Sequence, residues 1–175
     1  ARALQHELQL IGALALRDQP SQFFSHRSAA LIWGAPMPHA SLPELHLSSF
    51  APHRAPRVAG VRGHCLEHAR FQVDRHAGMR LTSPATTWVT LGHLPLTQLV
   101  AAGDYFVRVY RDGHGRRDVG KPPLATREEL RAAIDLGRWP GVQRVRQALA
   151  LIREDSWSPR GSVVRVILAR AGLPE

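Results

Sequence analysis

The sequence has little of several residue types that define common protein classes. Cys65 is the only cysteine among 175 residues, so an internal disulfide and a disulfide-stapled secreted fold are excluded. No apolar run approaches the roughly 20 residues needed to span a bilayer, and no secretory signal peptide is recognisable. Aromatic residues make up only 6%, and no stacked-aromatic motif for nucleic acid is evident. We therefore expect a cytoplasmic protein without a membrane partner.

Lysine is almost absent, whereas arginine is abundant. Lys121 is the only lysine, so the other 22 of the 23 cationic side chains are arginines, and with 14 carboxylates the net charge is +9. Arg, Ala, Pro and Gly all have GC-rich codons and are all plentiful, so the arginine-to-lysine ratio reflects genome composition. Codon bias does not explain why cations outnumber carboxylates. The net charge favours a polyanionic partner such as DNA, with an incidentally basic surface as the alternative.

The hydrophobic pattern changes along the chain. Helical spacing of apolar residues predicts a helix over 3–16 and several helices after residue 83. Between these segments, alternating or β-rich stretches predict short strands at 44–48, 58–66, 70–74 and 79–82. The predicted fold class is α+β, with N-terminal helices, a small mostly antiparallel sheet and a helical C-terminal half.

Residues that begin and end helices are clear at several points. Ser25 is interpreted as the N-cap of a short helix that ends at Gly34. Thr126 and Glu129 have the spacing of a capping box. Pro140 is predicted to start a further helix.

The last helix is predicted to begin at Ser158-Pro159. Helical spacing then predicts one inward face, composed of Val163, Val164, Ile167, Leu168 and Ala171.

Histidines cluster in the middle of the sequence. His64, Cys65 and His68 lie close together, with His76 not far behind. A structural zinc site needs four nitrogen or sulfur ligands at recognised spacing, and there is one cysteine. His64 and His68 would share a face only on a helix, whereas this segment is predicted to be a strand followed by a loop. The sequence therefore predicts no metal site and no cofactor.

Candidate nucleophiles lack the surroundings that catalysis requires. Ser25-His26 and Cys65 occur without a local motif that supplies a positioned base and an oxyanion hole. No glycine-rich nucleotide-binding loop is present either. Three aspartates lie near a helix end and in a loop, and we expect them to form surface ion pairs with arginines: Asp104, Asp112 and Asp118. The sequence predicts no catalytic residue.

The cationic side chains form three groups that could contact phosphates. The first group lies in a Pro-rich connector and the strand after it: Arg54, Arg57 and Arg62. The second lies in the glycine-containing loop 111–123: Arg111, Arg116, Arg117 and Lys121. The third surrounds the helix that begins at Pro140: Arg138, Arg144, Arg146 and Arg153. These eleven residues are the predicted nucleic-acid contacts, although charges on helix exteriors also occur as a solvated face.

Four segments together resemble one family. Residues 24–36 (FSHRSAALIWGAP) resemble a segment of actinobacterial proteins related to the AbiEi antitoxins. Residues 81–88 (LTSPATTW) resemble the "TSPARTW" segment of these proteins. The third likeness is to an "AGD-x-x-x-R" helix, at Ala102 to Asp104 and Arg108, and the fourth to a "LATREEL" helix start at 124–130. The resemblance runs through nearly all of the chain.

The resemblance implies a domain order. In that family a winged helix-turn-helix comes first, a middle domain follows, and many members end in a nuclease that resembles very-short-patch-repair endonucleases. By this resemblance, 1–20 would end a truncated N-terminal segment, 21–157 would be the middle domain, and 158–175 would be the first helix of a truncated or decayed nuclease-like domain. The chain begins without Met, and we expect it to be part of a longer protein.

The sequence also departs from the family pattern. Gly161 stands where the nuclease segment typically has Glu, and glycine can neither bind a metal nor transfer a proton. Thr86 replaces an Arg of "TSPARTW", and Thr90 stands where an Asp is common. The chain ends before the strands that would carry the family's other acidic residues. As it stands, we expect it not to be an enzyme.

Three functions remain open at this point. The first is a non-catalytic regulatory or antitoxin-type module that works beside DNA or a protein toxin. The second is the accessory half of a repair-like endonuclease that positions DNA for a catalytic domain. The third is a protein-interaction scaffold whose charge is incidental. The sequence leaves the oligomeric state and the identity of the partner open.

Overall fold

The computed structural model describes residues 2–17, 19–39, 44–116 and 118–174. These residues form seven α-helices, one short 3-10 turn and a five-stranded sheet, which confirms the α+β fold class. None of the helices in these ranges is long and apolar enough to cross a membrane. The chain divides into two compact units, Ala1–Thr87 and Trp88–Glu175, and each is described by itself. The domain boundaries at residues 20 and 157 stay predictions.

The first unit contains two helices and the sheet. Its elements are α1 (Arg2–Ala15), β1 (Gln22–Phe24), α2 (His26–Ile32), β2 (Leu45–Phe50), β3 (Val61–Leu66), β4 (Val73–His76) and β5 (Met79–Thr82). The strand order is β3-β2-β1-β5-β4. A further helix, α3 (Pro84–Thr90), contains the boundary between the units. The strand predicted at 70–74 begins later, because residues 68–70 form the 3-10 turn.

The sheet is mixed, so the prediction of a mostly antiparallel sheet was wrong. β1 pairs antiparallel with β2 and parallel with β5, whereas β2 and β3 are parallel and β4 and β5 antiparallel. Alternation of polar and apolar residues indicates which face of a strand is buried, but it does not report the direction of the neighbouring strand. β1 was not predicted, although its Phe23 and Phe24 are buried in the middle of the sheet.

The second unit is helical. It contains α4 (Leu96–Val107), α5 (Arg127–Asp135), α6 (Val142–Leu151) and α7 (Pro159–Arg170). The capping box is confirmed: Thr126 Oγ1 accepts from the Glu129 amide at 3.1 Å, and the Glu129 carboxylate accepts from the Thr126 amide at 2.7 Å. Ser158 caps α7 as predicted, accepting from the Gly161 amide at 2.9 Å. The helix predicted from Pro140 begins two residues later.

The predicted inward face of α7 was wrong for Val164, Ile167 and Ala171, which are exposed, whereas Val163 and Leu168 are half-buried. Val164 and Ile167 are each 55% exposed, whereas Ser162 and Val166 are buried. Arg165 flanks this buried face, and its Nη2 donates to Asp104 Oδ2 at 2.7 Å. Hydrophobic periodicity does not detect an ion pair that packs inward in this way.

The aspartates were predicted to form surface ion pairs, and for Asp104 this was wrong. Asp104 does pair with Arg165, but its side chain is only 1% exposed. Asp112 and Asp118 are exposed, and the Asp112 carboxylate accepts from the Gly113 amide at 2.8 Å. Helical spacing puts Asp104 on the same side of α4 as buried apolar residues, which is the signal that was overlooked.

Candidate functional site

A group of cations and aromatic rings lies in the second unit and is called here the cation–aromatic cluster. It consists of Tyr105, Arg108, Tyr110, Arg116, Lys121 and Trp157. Arg116 Cζ lies 4.5 Å from the centre of the Trp157 ring, and Lys121 Nζ lies 5.5 Å from the centre of the Tyr110 ring. These distances are within the range of cation–π attraction. Because the two rings are 5.9 Å apart, the structure brings two predicted cations together on one aromatic pair.

Arg108 joins the rings of this cluster. Its Cζ lies 5.4, 6.0 and 5.7 Å from the ring centres of Tyr105, Tyr110 and Trp157, and its Nε donates to the Ser156 carbonyl at 2.9 Å. In the sequence, Arg108 stands out only as part of a family segment, and no aromatic motif is evident. The aromatic residues come from the end of α4, the following loop and the segment before α7, so their order along the chain gave no such motif.

The phenol of Tyr105 stays neutral near these cations. Burial raises the pKa of Tyr105, the neighbouring Tyr110 raises it further, and Arg108 acts in the opposite direction. A neutral phenol adds no negative charge that would compete with a polyanion for the cluster.

Two other predicted cations in the second unit bind backbone carbonyls. Arg144 Nη1 donates to the carbonyls of Gly92, His93 and Leu94 at 3.0 to 3.3 Å. Arg153 Nη1 lies 3.3 Å from two carbonyls at the end of α6. These guanidinium groups satisfy carbonyls that the helix and turn leave without an internal partner. Their contacts support the fold of this unit.

The remaining predicted cations are mostly exposed and dispersed. In the first unit, Arg54 and Arg57 are exposed in the segment before β3, and Arg62 Nη1 lies 3.5 Å from Glu44 Oε1. In the second unit, apart from the cluster and Arg144, the exposed predicted cations are Arg111, Arg138 and Arg146. Arg117 lies outside the described residues.

A second candidate site lies in the first unit and combines three histidines from three elements. His26 begins α2, His46 lies on β2 and His64 lies on β3, and they are called here the three-histidine cluster. In the parallel register of β2 and β3, His64 is opposite Ser48, two residues after His46. Both histidines therefore project from the same face of the sheet.

The imidazole rings of the three-histidine cluster are close together. His46 Nδ1 and His64 Nε2 are 2.9 Å apart, and the ring centre of His26 is 4.1 Å from that of His64. One ring nitrogen from each residue lies within 4.8 Å of the others. His26 has φ = +51°, an uncommon conformation for a residue other than glycine.

Polar groups contact one ring nitrogen in each of two of these histidines. Ser25 Oγ is 2.8 Å from His26 Nδ1 and 2.6 Å from Ser48 Oγ, and Glu44 Oε2 is 3.5 Å from His46 Nε2. Ser25 occupies the N-cap position of α2 as predicted, but its side chain makes no capping hydrogen bond, so that interpretation of its hydroxyl was wrong. The hydroxyl is fully buried and therefore does not present a nucleophile to solvent.

In the fold, the neighbours of His64 are not the histidine and cysteine that lie near it in the sequence. Cys65 is the next residue on a strand, so its side chain points to the opposite face, where Sγ donates to the His53 carbonyl. The ring of His68 packs on Phe50 instead, 4.5 Å between centres. The pKa of His64 is lowered, first by burial and then by Arg62, with Glu44 acting in the opposite direction. His46 and Ser48 on β2 were the available signal, since both are polar residues that alternation places on one face.

Comparison with known proteins adds no relationship. No protein-family model matches the chain, and neither the curated proteins nor the solved structures give a match. The likeness to AbiEi-related proteins therefore stays a prediction based on the quoted segments.

Proposed function

We propose that this protein is a non-catalytic regulatory or antitoxin-type module of a cytoplasmic DNA-associated protein. Its second unit contacts nucleic-acid phosphates through the cation–aromatic cluster. The observation that carries the proposal is the position of Arg116 and Lys121, which are exposed and lie against the rings of Trp157 and Tyr110.

Aromatic support suits a cation for binding a phosphate. A long cationic side chain loses rotamer entropy when it binds, and contact with a ring restricts that freedom beforehand. The rings carry no formal charge, so the cations keep their full charge for an anionic oxygen. Among the described residues, no carboxylate forms an ion pair with Arg116 or Lys121. The cluster is therefore a positively charged surface of the second unit whose cations are held in place by aromatic rings.

The proposal is tested by the salt dependence of duplex DNA binding, measured by fluorescence anisotropy. Each neutralised phosphate contributes about −0.9 to the slope of log K against log salt. The double variant Arg116→Ala/Lys121→Ala should weaken binding and make the slope less steep by about 1.8. The matched control is Arg131→Ala/Arg160→Ala, which removes the same charge from exposed positions of the same unit.

The control separates a local surface from diffuse charge. If both double variants change the slope equally, the cluster has no special role. If the wild-type protein does not bind duplex DNA even at low ionic strength, the proposal is refuted and the protein-interaction scaffold is favoured. Metal-dependent DNA cleavage that survives repurification would refute the non-catalytic part and favour the endonuclease-accessory function.

A further inference from the structure

We propose that the three-histidine cluster of the first unit binds a divalent transition-metal ion of the zinc class. His26, His46 and His64 are the protein ligands, and a fourth position is open to water. This site is independent of the cation–aromatic cluster, and it runs against the sequence-based expectation of no metal.

The donor set suits such a metal. Three neutral imidazoles favour zinc, copper, nickel or iron, whereas calcium and magnesium require oxygen ligands. Zinc sites with three protein ligands and an open position are a recognised class, and three histidines form one version of it. The cluster supplies this set from two strands and a helix start.

The spacing of the nitrogens is close to what coordination requires. Zinc–nitrogen bonds of about 2.0–2.1 Å in a tetrahedral site place ligand nitrogens about 3.3 Å apart. His46 Nδ1 and His64 Nε2 are 2.9 Å apart, and no pair in the cluster exceeds 4.8 Å. Side-chain rotations that change these separations by about 1.5 Å or less would therefore complete the site.

The outer contacts match those that orient metal-binding histidines. Such histidines donate their second ring N–H to a carboxylate, carbonyl or other oxygen. Glu44 lies beside the outer nitrogen of His46, and Ser25 Oγ beside Nδ1 of His26. The contact with Glu44 favours the His46 tautomer that carries its proton on Nε2. Nδ1, which faces His64, is then able to coordinate.

The backbone of His26 is a separate observation that favours a site. A left-handed conformation at a residue other than glycine costs about 1–3 kcal/mol and often occurs at functional positions. In His26 it places the imidazole against His64, with a ring-centre distance of 4.1 Å. Packing alone does not require a histidine at such a strained position.

The proposal is tested by isothermal titration calorimetry of zinc into the full chain, from which a chelator has first removed any bound metal. We expect one zinc ion per chain with an affinity in the micromolar range or tighter. His64→Gln and His26→Asn should each weaken binding by at least about tenfold. Asparagine tolerates the left-handed conformation, so the second variant removes the ligand with little change in backbone preference. The matched control is His53→Gln, an exposed histidine of the same unit, and its affinity should stay within twofold of wild type.

Two further measurements keep the proposal testable if a ligand variant fails to fold. Glu44→Gln changes a side chain that is 54% exposed, and it should weaken zinc binding by about tenfold. Cobalt bound to the wild-type protein should give the intense visible absorption of a four-coordinate ion. Absence of stoichiometric zinc binding, a pale six-coordinate cobalt spectrum, or equal losses in the His53→Gln control would each overturn the proposal.

Discussion

The carboxylate of Asp104 connects three helices of the second unit, and its removal tests how much a buried ion pair stabilises this fold. Asp104 lies on α4 and is 1% exposed. Its Oδ1 accepts from the Arg153 amide at 2.8 Å, after the end of α6, and its Oδ2 accepts from Arg165 on α7 at 2.7 Å. Arg165 is 15% exposed and also donates to the Leu151 carbonyl at 2.6 Å. Asp104→Ala would therefore leave a largely buried guanidinium without its carboxylate.

The size of the effect follows from this burial. Breaking a buried ion pair by removing one partner costs about 3–5 kcal/mol, because the remaining charge loses its compensation. The unpaired Arg153 amide belongs to the same network, so its cost is not added separately. With a urea dependence of about 1–1.5 kcal/mol/M, a loss of 3 kcal/mol lowers the unfolding midpoint by about 2–3 M. Asp112→Ala, at an exposed position, should cost less than about 1 kcal/mol.

Tryptophan fluorescence during urea unfolding measures this effect in the appropriate unit. Trp88, Trp139 and Trp157 belong to the second unit, and Trp33 belongs to the first. The double variant Asp104→Ala/Arg165→Met should be more stable than Asp104→Ala, because it removes the uncompensated charge as well. The reasoning is refuted if Asp104→Ala shifts the midpoint no more than Asp112→Ala. It is also refuted if the double variant is no more stable than Asp104→Ala.

Three smaller changes test other features. Gly103→Ala should lower the free energy of unfolding in urea by about 1–2 kcal/mol. The added Cβ would collide with the buried Ile152 side chain, and this cost exceeds the gain in helix propensity. An unchanged stability would refute the collision. Gly12→Ala should stabilise α1 by about 0.5–1 kcal/mol by circular dichroism, since a Cβ there has nothing within 4 Å, and a loss would contradict this. Burial raises the pKa of Tyr105, so the unfolded state ionises first and stability falls as the pH rises above about 10. Tyr105→Phe should lose less stability between about pH 9.5 and 11 than wild type. An equal loss would show that other groups cause it.

Local chemistry made much of the helical half predictable. The capping box at Thr126 and the cap at Ser158 use residues three positions apart, so the sequence contains both partners of each interaction. The strand Met79–Thr82 was likewise predicted with its observed bounds, because a turn at Gly78 precedes it. These features depend on short-range hydrogen bonds and backbone preferences. A single sequence displays them directly.

The three-histidine cluster was not predictable in the same way. Its members are separated by 20 and 18 residues. They come together only because β2 pairs in parallel with β3 on one side and antiparallel with β1, which precedes His26, on the other. Close spacing along the chain points instead to His64, Cys65 and His68, of which the first two lie on opposite faces of β3 and the third lies after it. Strand pairing depends on the whole sheet, and β1 itself was too short to be recognised.

Arginine has two roles in this protein. Substitutions of the two kinds of arginine should therefore have opposite effects on stability and on the salt dependence of DNA binding. Arg144→Ala removes contacts with the three carbonyls at 92–94, so it should lower stability by about 1–2 kcal/mol in urea unfolding and leave the salt slope of DNA binding nearly unchanged. Arg116→Ala should flatten that slope by about 0.9 and change stability by less than about 1 kcal/mol, because its guanidinium is exposed on Trp157. A net charge of +9 does not distinguish these uses, since it counts both arginines equally. If Arg144→Ala flattens the slope as much as Arg116→Ala does, then Arg144 contacts DNA despite its hydrogen bonds to the carbonyls. The assignment of separate roles then fails.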